Sequence, residues 1–197
     1  MTADRPPDRP PPGPRAPGPD VGAPARLFAV LDGARDPRVH ERVTSERPSD
    51  WRCLYAGPLP PALERAAPYL VRLTPGSGPL DLLLEDARGE SVGVLVASPE
   101  GVDIDRLRRH FRRFLKATGP DGRTLIFRYY DPRVLRVYLP TCNRDELGIL
   151  FGSVVSRYIV EQRDGTLRAY AHAGDRLTVE AIEVDDVLPL ALEEAPP

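Results

Sequence analysis

RLFAVLDGARDPRVHERVTSE, residues 26–46, is the stretch on which the fold reading turns. Its first half, RLFAVLDG (26–33), is a short apolar run stopped by Asp-Gly, the signature of a buried strand. Its second half is helical. Asp36 stands where a cap is needed, Pro37 suits the first helical position, and Val39 and Val43 share one face. A buried strand followed at once by an amphipathic helix is the opening of a layered α/β domain.

The pattern continues outward from there. WRCLY (51–55) reads as a second strand closed by Ala-Gly-Pro. LPPALERAAPYLVRL (59–73) reads as a short helix, broken before Pro68, and then a third strand. PLDLLLEDARG (79–89) predicts a helix ending at Gly89, and SVGVLVAS (91–98) a strong strand. DIDRLRRHFRRFLKAT (103–118) places Ile104, Leu107, Phe111, Phe114 and Leu115 on one stripe, with Asp103 as cap and Gly119 past the end. RTLIFRYY (123–130) predicts a strand entered through Pro120-Asp121-Gly122, and Asp131-Pro132 opens a helix through Leu139. RDELGILFG after Asn143 reads as one more short helix. SVVSRYIVEQ (153–162) and TLRAYAHA (166–173) flank Arg-Asp-Gly, a hairpin signal, and LTVEAIEV (177–184) suits a strand or a helix. Alternation of strands and helices predicts an α/β layered domain, its central sheet largely parallel or mixed, flanked by helices and followed by a C-terminal β-hairpin. There is no internal repeat.

Composition bounds the rest. The chain has 197 residues, enough for one domain with a proper core. Residues 1–25 hold nine prolines and almost no large apolar side chain, so they read as a disordered arm, solvated or serving as a proline-rich ligand. The domain organisation expected is therefore arm 1–25, α/β domain 26–184 and a flexible acidic tail 185–197. The net charge of −2 argues against a globally basic nucleic-acid binder. Lys116 is the single lysine among 27 basic residues, an imbalance of the kind codon bias produces. No run approaches the ~20 apolar residues that span a bilayer, and the N-terminus lacks the apolar centre of a secretory signal, so a cytoplasmic location is expected, with no membrane partner. Cys53 and Cys142 read as reduced thiols without metal-ligand spacing.

FRYYDPRVL (127–135) raises the question of chemistry. Asp131 can accept from the free N–H groups of a first helical turn, and Pro132 sets φ where no donor is needed. Arg133 has no such mechanical role. If both corners lie at the carboxyl ends of parallel strands, Asp32, Arg35, Asp36, Asp131 and Arg133 can form one polar cluster. That cluster reads as a structural network, a partner-binding surface, or a catalytic site, in that order. The enzymatic version is a metal-assisted hydrolase using Asp32, Asp36 and Asp131. No Gly-rich nucleotide loop, P-loop or serine-nucleophile elbow is present, and His40, His110 and His172 lack ligand spacing. The helix at 103–118 carries Arg106, Arg109, Arg112 and Arg113 outward, a solvated face or a docking face for an acidic protein. Aromatic residues do not interleave with these arginines, which disfavours nucleic acid.

Several of these pieces together resemble one bacterial family. FAVLDGARDP, then LYAG and APYLVRL, then the basic helix, then DGRTLIFRYYDPRVLRVYLP and FGSV stand in its order over residues 26–153. The family is that of type VI secretion effector chaperones, or adaptors, formerly catalogued as a domain of unknown function. The resemblance implies a protein without catalysis, cofactor or metal. Such a protein binds a toxic effector in the producing cell and loads it onto the valine-glycine-repeat spike protein. The family's characteristic residues fall on Asp32, Arg35, Asp36, Pro68, Tyr69, Leu70, Arg128, Tyr130, Asp131, Pro132 and Arg133, which marks a candidate surface. A toxin-neutralising binding protein is the other non-enzymatic reading.

Overall fold

Leu27, Ala29 and Leu31 belong to one buried cluster, and Phe28 and Val30 to another. This alternation puts the first strand between two apolar layers, because successive side chains of a strand point to opposite faces. The computed structural model describes residues 25–85, 92–118 and 121–187. The arm at 1–24 and the tail from 188 lie outside the described residues.

Four strands and three helices build the first half. β1 (Ala25–Asp32) leads through α1 (Arg38–Thr44) to β2 (Trp51–Cys53), then through the short α2 (Pro61–Arg65) to β3 (Pro68–Arg72). α3 (Gly78–Glu85) and β4 (Gly93–Pro99) complete it. The second half holds α4 (Ile104–Arg112), a hairpin of β5 (Lys116–Thr118) and β6 (Thr124–Ile126), and α5 (Pro132–Tyr138). α6 (Arg144–Phe151), β7 (Arg157–Glu161), β8 (Leu167–Ala173) and β9 (Arg176–Ile182) follow.

The main sheet corrects the expected parallel or mixed arrangement. Its order is β2-β3-β1-β4-β7-β8-β9, and every neighbouring pair is antiparallel. The physical reason is an inserted strand. β1 and β2 run the same way with α1 between them in sequence, as do β3 and β4 with α3 between them. But β3 sits between β1 and β2, and β1 between β3 and β4. The first four strands thus form a split β-α-β arrangement, in which crossover partners are parallel and never adjacent. α2, a helix of five residues, spans only about 8 Å. The chain from β2 therefore turns back beside itself as β3.

Two further expectations shift. The helix predicted over 103–118 ends at Arg112, and residues 116–118 pair instead with 124–126 in a separate two-stranded sheet. Leu115 stays buried although its backbone has left the helix, and its carbonyl accepts from the Phe127 N–H at 2.9 Å. The strand predicted over 123–130 is only Thr124–Ile126, and Phe127–Tyr130 run as an irregular link into α5. The C-terminal hairpin exists as β7–β8 and joins the main sheet, with β9 as its outer strand.

Both faces of the sheet are covered. α1 and α3 pack over Leu27, Ala29, Leu31, Tyr69 and Val71. α4, α5 and α6 pack over Phe28, Val30, Leu70, Val94 and Val96, with Phe111, Tyr129 and Tyr158 among the fully buried rings. No helix among the described residues is long and apolar enough to cross a membrane.

Candidate functional site

Asp32 is the last residue of β1, and the even-numbered alternation directs it to the layer of α4, α5 and α6. It is 1 % exposed. A carboxylate that deep requires partners. Its Oδ1 accepts from the Ala34 N–H at 3.1 Å, which closes the turn at the strand end. Its Oδ2 accepts from Nη2 of Arg128, which lies on the link between β6 and α5. The Arg128 guanidinium is 41 % exposed. Its hydrogen bond to Asp32 raises its pKa above the ordinary arginine range, so it stays charged.

Asp131 caps α5. Its Oδ1 accepts from the Arg133 N–H at 2.9 Å, and its two oxygens accept from Arg133 Nε at 2.9 Å and Nη2 at 2.6 Å. The Asp131 side chain is 3 % exposed and that of Arg133 54 %. Burial pushes the Asp131 carboxyl up, but the Arg133 hydrogen bonds outweigh it and hold the group below the usual carboxylate range. Arg128 adds a second positive field at Asp131. Tyr130, between them in sequence, is buried beside Tyr55 and Asp32, and desolvation drives its phenol far up. The corner is thus two buried carboxylates, each clasped by a half-exposed guanidinium.

The expected five-residue cluster is only partly assembled. Asp32 and Asp131 do come together, through Arg128. Arg133 does not lock onto Asp32; it clasps its own helix cap. Arg128 takes the place expected for it, because the link from Phe127 to Tyr130 is irregular and swings that side chain back to β1. Asp36 stands apart: its carboxylate accepts from the Arg38 N–H at 2.8 Å and from the Arg38 guanidinium at 2.7 Å, and the Arg38 hydrogen bond lowers its pKa. Arg38 also reaches Glu85 of α3 at 3.4 Å. Arg35 is half-buried at the turn after β1, where its N–H donates to the Asp32 carbonyl at 3.0 Å. Among the described residues no group of three or more His, Cys, Asp or Glu side chains is placed to hold a metal ion.

The basic helix divides its arginines by role. Arg106 donates to Ser153 Oγ at 3.0 Å. Arg108 donates to the Cys53 carbonyl at 2.9 Å and ties α4 to the edge strand β2. Arg52 of β2 answers with two hydrogen bonds to Asp105, at 2.7 and 3.1 Å. Sequence offers no signal for these ties, since partners some 50 residues apart share no period. Arg109, Arg112 and Arg113 are exposed. Arg112 and Arg113 border an open groove between β2, α2 and the β5–β6 hairpin.

A protein-family model described as Domain of unknown function (DUF4123) matches residues 27–148. The chain belongs to this family. No curated protein and no solved structure matches it. The DUF4123 match starts in β1 and ends within α6, so it contains the whole corner and the basic helix. β7, β8 and β9 of this DUF4123 chain complete the sheet outside the matched span.

Proposed function

We propose that the protein is a non-enzymatic adaptor of the bacterial cytoplasm. It binds a toxic effector in the producing cell and loads it onto the valine-glycine-repeat spike of the type VI secretion apparatus. The observation that carries the binding role is the polarity of the corner. Each buried carboxylate of the Asp32/Asp131 corner is engaged by an arginine whose side chain reaches the surface, 41 % exposed for Arg128 and 54 % for Arg133. Such an arrangement holds guanidinium groups in fixed positions where a partner can reach them. The type VI assignment is supported by the ordered motifs FAVLDGARDP, APYLVRL and FRYYDPRVL. The metal-assisted hydrolase reading needs Asp32, Asp36 and Asp131 to share one ion, whereas Asp36 pairs with Arg38 and the other two with arginines of their own.

Co-expression of the tagged chain with its neighbouring genes tests the proposal. A large toxin-like protein, with or without the spike's C-terminal end, is expected to remain bound through size exclusion. A solitary chain overturns the adaptor reading. Assaying the bound toxin with and without the chain separates an adaptor from a neutralising protein.

A further inference from the structure

The groove beside the basic helix has a floor and a rim of different chemistry. Leu54 and Leu115 form the floor and are 0 % and 6 % exposed. Leu63 of α2 and Ile126 of β6 form the walls, yet they are 44 % and 47 % exposed. Arg112, Arg113 and Lys116 line the same opening, whose volume is about 580 Å³. None of these three cations has a carboxylate within ion-pair distance among the described residues.

A second observation points the same way. Among the described residues, the β5–β6 hairpin pairs with no strand of the main sheet. Two-stranded hairpins are marginal on their own. Adjacent residues of this one, Leu125 at 51 % and Ile126 at 47 %, are both exposed although they point to opposite faces. An apolar wall left in water above a buried apolar floor is a surface built for a partner.

We infer that this groove receives an amphipathic helical segment of the effector, its apolar side chains on Leu54 and Leu115 and its carboxylates on Arg112, Arg113 and Lys116. The partner class comes from the adaptor reading; the groove supplies the chemistry of the segment. Helix-in-groove docking uses apolar anchors at i, i+3, i+4 and i+7, which match a recessed aliphatic floor. Acidic flanks match the rim, and charge complementarity selects the partner and speeds the encounter. A flat lipid surface cannot reach a floor recessed below its cationic rim, and Tyr55 is a lone aromatic ring in an otherwise aliphatic and cationic lining, too little for successive bases to stack on.

The test uses three labelled synthetic peptides in fluorescence anisotropy with the full chain. One carries leucines at helical spacing and glutamates elsewhere; the second replaces the glutamates by lysines; the third scrambles the leucines. Saturable micromolar binding is expected of the first alone. The double variant Arg112→Glu/Lys116→Glu should weaken it by roughly tenfold or more, and Ile126→Asp likewise. The charge-reversed residues are exposed, so that variant is expected to keep its circular dichroism spectrum and carries the test if Ile126→Asp disturbs the hairpin. Absence of saturable binding, equal binding by the double variant, or a preference of the same residues for an oligonucleotide or phosphatidylglycerol vesicles overturns the inference. An effector complex recovered by co-purification while the peptides fail would remove the groove and leave the adaptor standing. Peptide binding without any such complex would do the reverse.

Discussion

At the scale of the residue, this protein handles buried charge in one repeated way. A carboxylate closes a turn or a helix end with one oxygen and holds an arginine with the rest. The cost of burying Asp32 and Asp131 is offset by these hydrogen bonds, while the half-exposed arginines keep part of their hydration. The two pairs should respond differently to mutation. Asp32→Asn removes the only charge of that pair on the sheet side and should cost about 1–3 kcal/mol in urea denaturation. Arg133→Ala leaves the Asp131 cap on its own backbone N–H and should cost about 1 kcal/mol or less, while weakening partner capture under the adaptor reading. A larger stability loss for Arg133→Ala than for Asp32→Asn would reverse that ranking.

His110 gives a pH dependence of definite sign. It is 5 % exposed on α4, and its Nε2 lies 2.8 Å from the Leu150 carbonyl, which also accepts from Tyr158 Oη at 2.7 Å. A carbonyl oxygen can only accept, so at this distance the proton of the neutral ring sits on Nε2. Burial lowers the His110 pKa below its usual 6.5. The unfolded chain therefore takes up a proton first as pH falls, and stability present above about 6.5 is lost below it. Urea midpoints measured between pH 7.5 and 5 should fall in the native protein and flatten in His110→Gln. Parallel slopes would show that His110 is not the group responsible.

At the scale of the element, the tight places are where backbones meet. Gly33 follows β1, donates its N–H to the Ala67 carbonyl at 3.0 Å, and lies so close to the entry of β3 that an added Cβ would stand 2.7 Å from that carbonyl oxygen and also strike that of Arg65. Gly33→Ala should therefore cost about 1–3 kcal/mol by overpacking against atoms that cannot rotate away. A thermal shift within error of the native protein would mean that β1 and β3 can part without penalty. The same scale explains the shortened α4. Its apolar stripe runs on to Leu115 in sequence, but the chain beyond Arg113 finds its hydrogen bonds with β6 instead. Burial of Leu115 satisfies the stripe in either conformation, so periodicity alone does not distinguish them.

At the scale of the whole molecule, β1 and β4 are paired neighbours at the centre of the seven-stranded sheet, and like β3, β7 and β8 they face both apolar layers. Phe28, Val30, Val94 and Val96 belong to one cluster, and Leu27, Ala29 and Leu31 to the other. Opening either strand exposes both layers at once, whereas the β5–β6 hairpin opens alone. Hydrogen exchange should accordingly be slowest in β1 and β4, near the global unfolding limit, and fast in residues 116–126. A hairpin protected as well as β1 in the free chain would contradict its exposed apolar wall as a site waiting for a partner.

What the sequence by itself determined is local. The Asp-Gly stop after β1, Pro37 at the start of α1, the break before Pro68, the Asp131 cap and the Arg-Asp-Gly hairpin all lie within a few residues of what they control, so composition reveals them. Tertiary structure alone decided the rest. A helix between two strands implies a crossover but does not say which strand fills the gap, and β3 and β1 filled both gaps to make the sheet antiparallel. Asp32 was legible as a polar residue at a strand end, but its partner was not. Arg128 reaches it across 96 positions of sequence, over a link whose irregular path depends on the packing of Tyr129 and Tyr130 into the core. The groove was illegible for the same reason: its apolar side chains come from a strand end, a five-residue helix and a hairpin that meet only in space. Local hydrogen bonds and dihedral preferences are written in neighbouring residues, while register, pairing order and long-range contacts are set by which apolar faces bury each other.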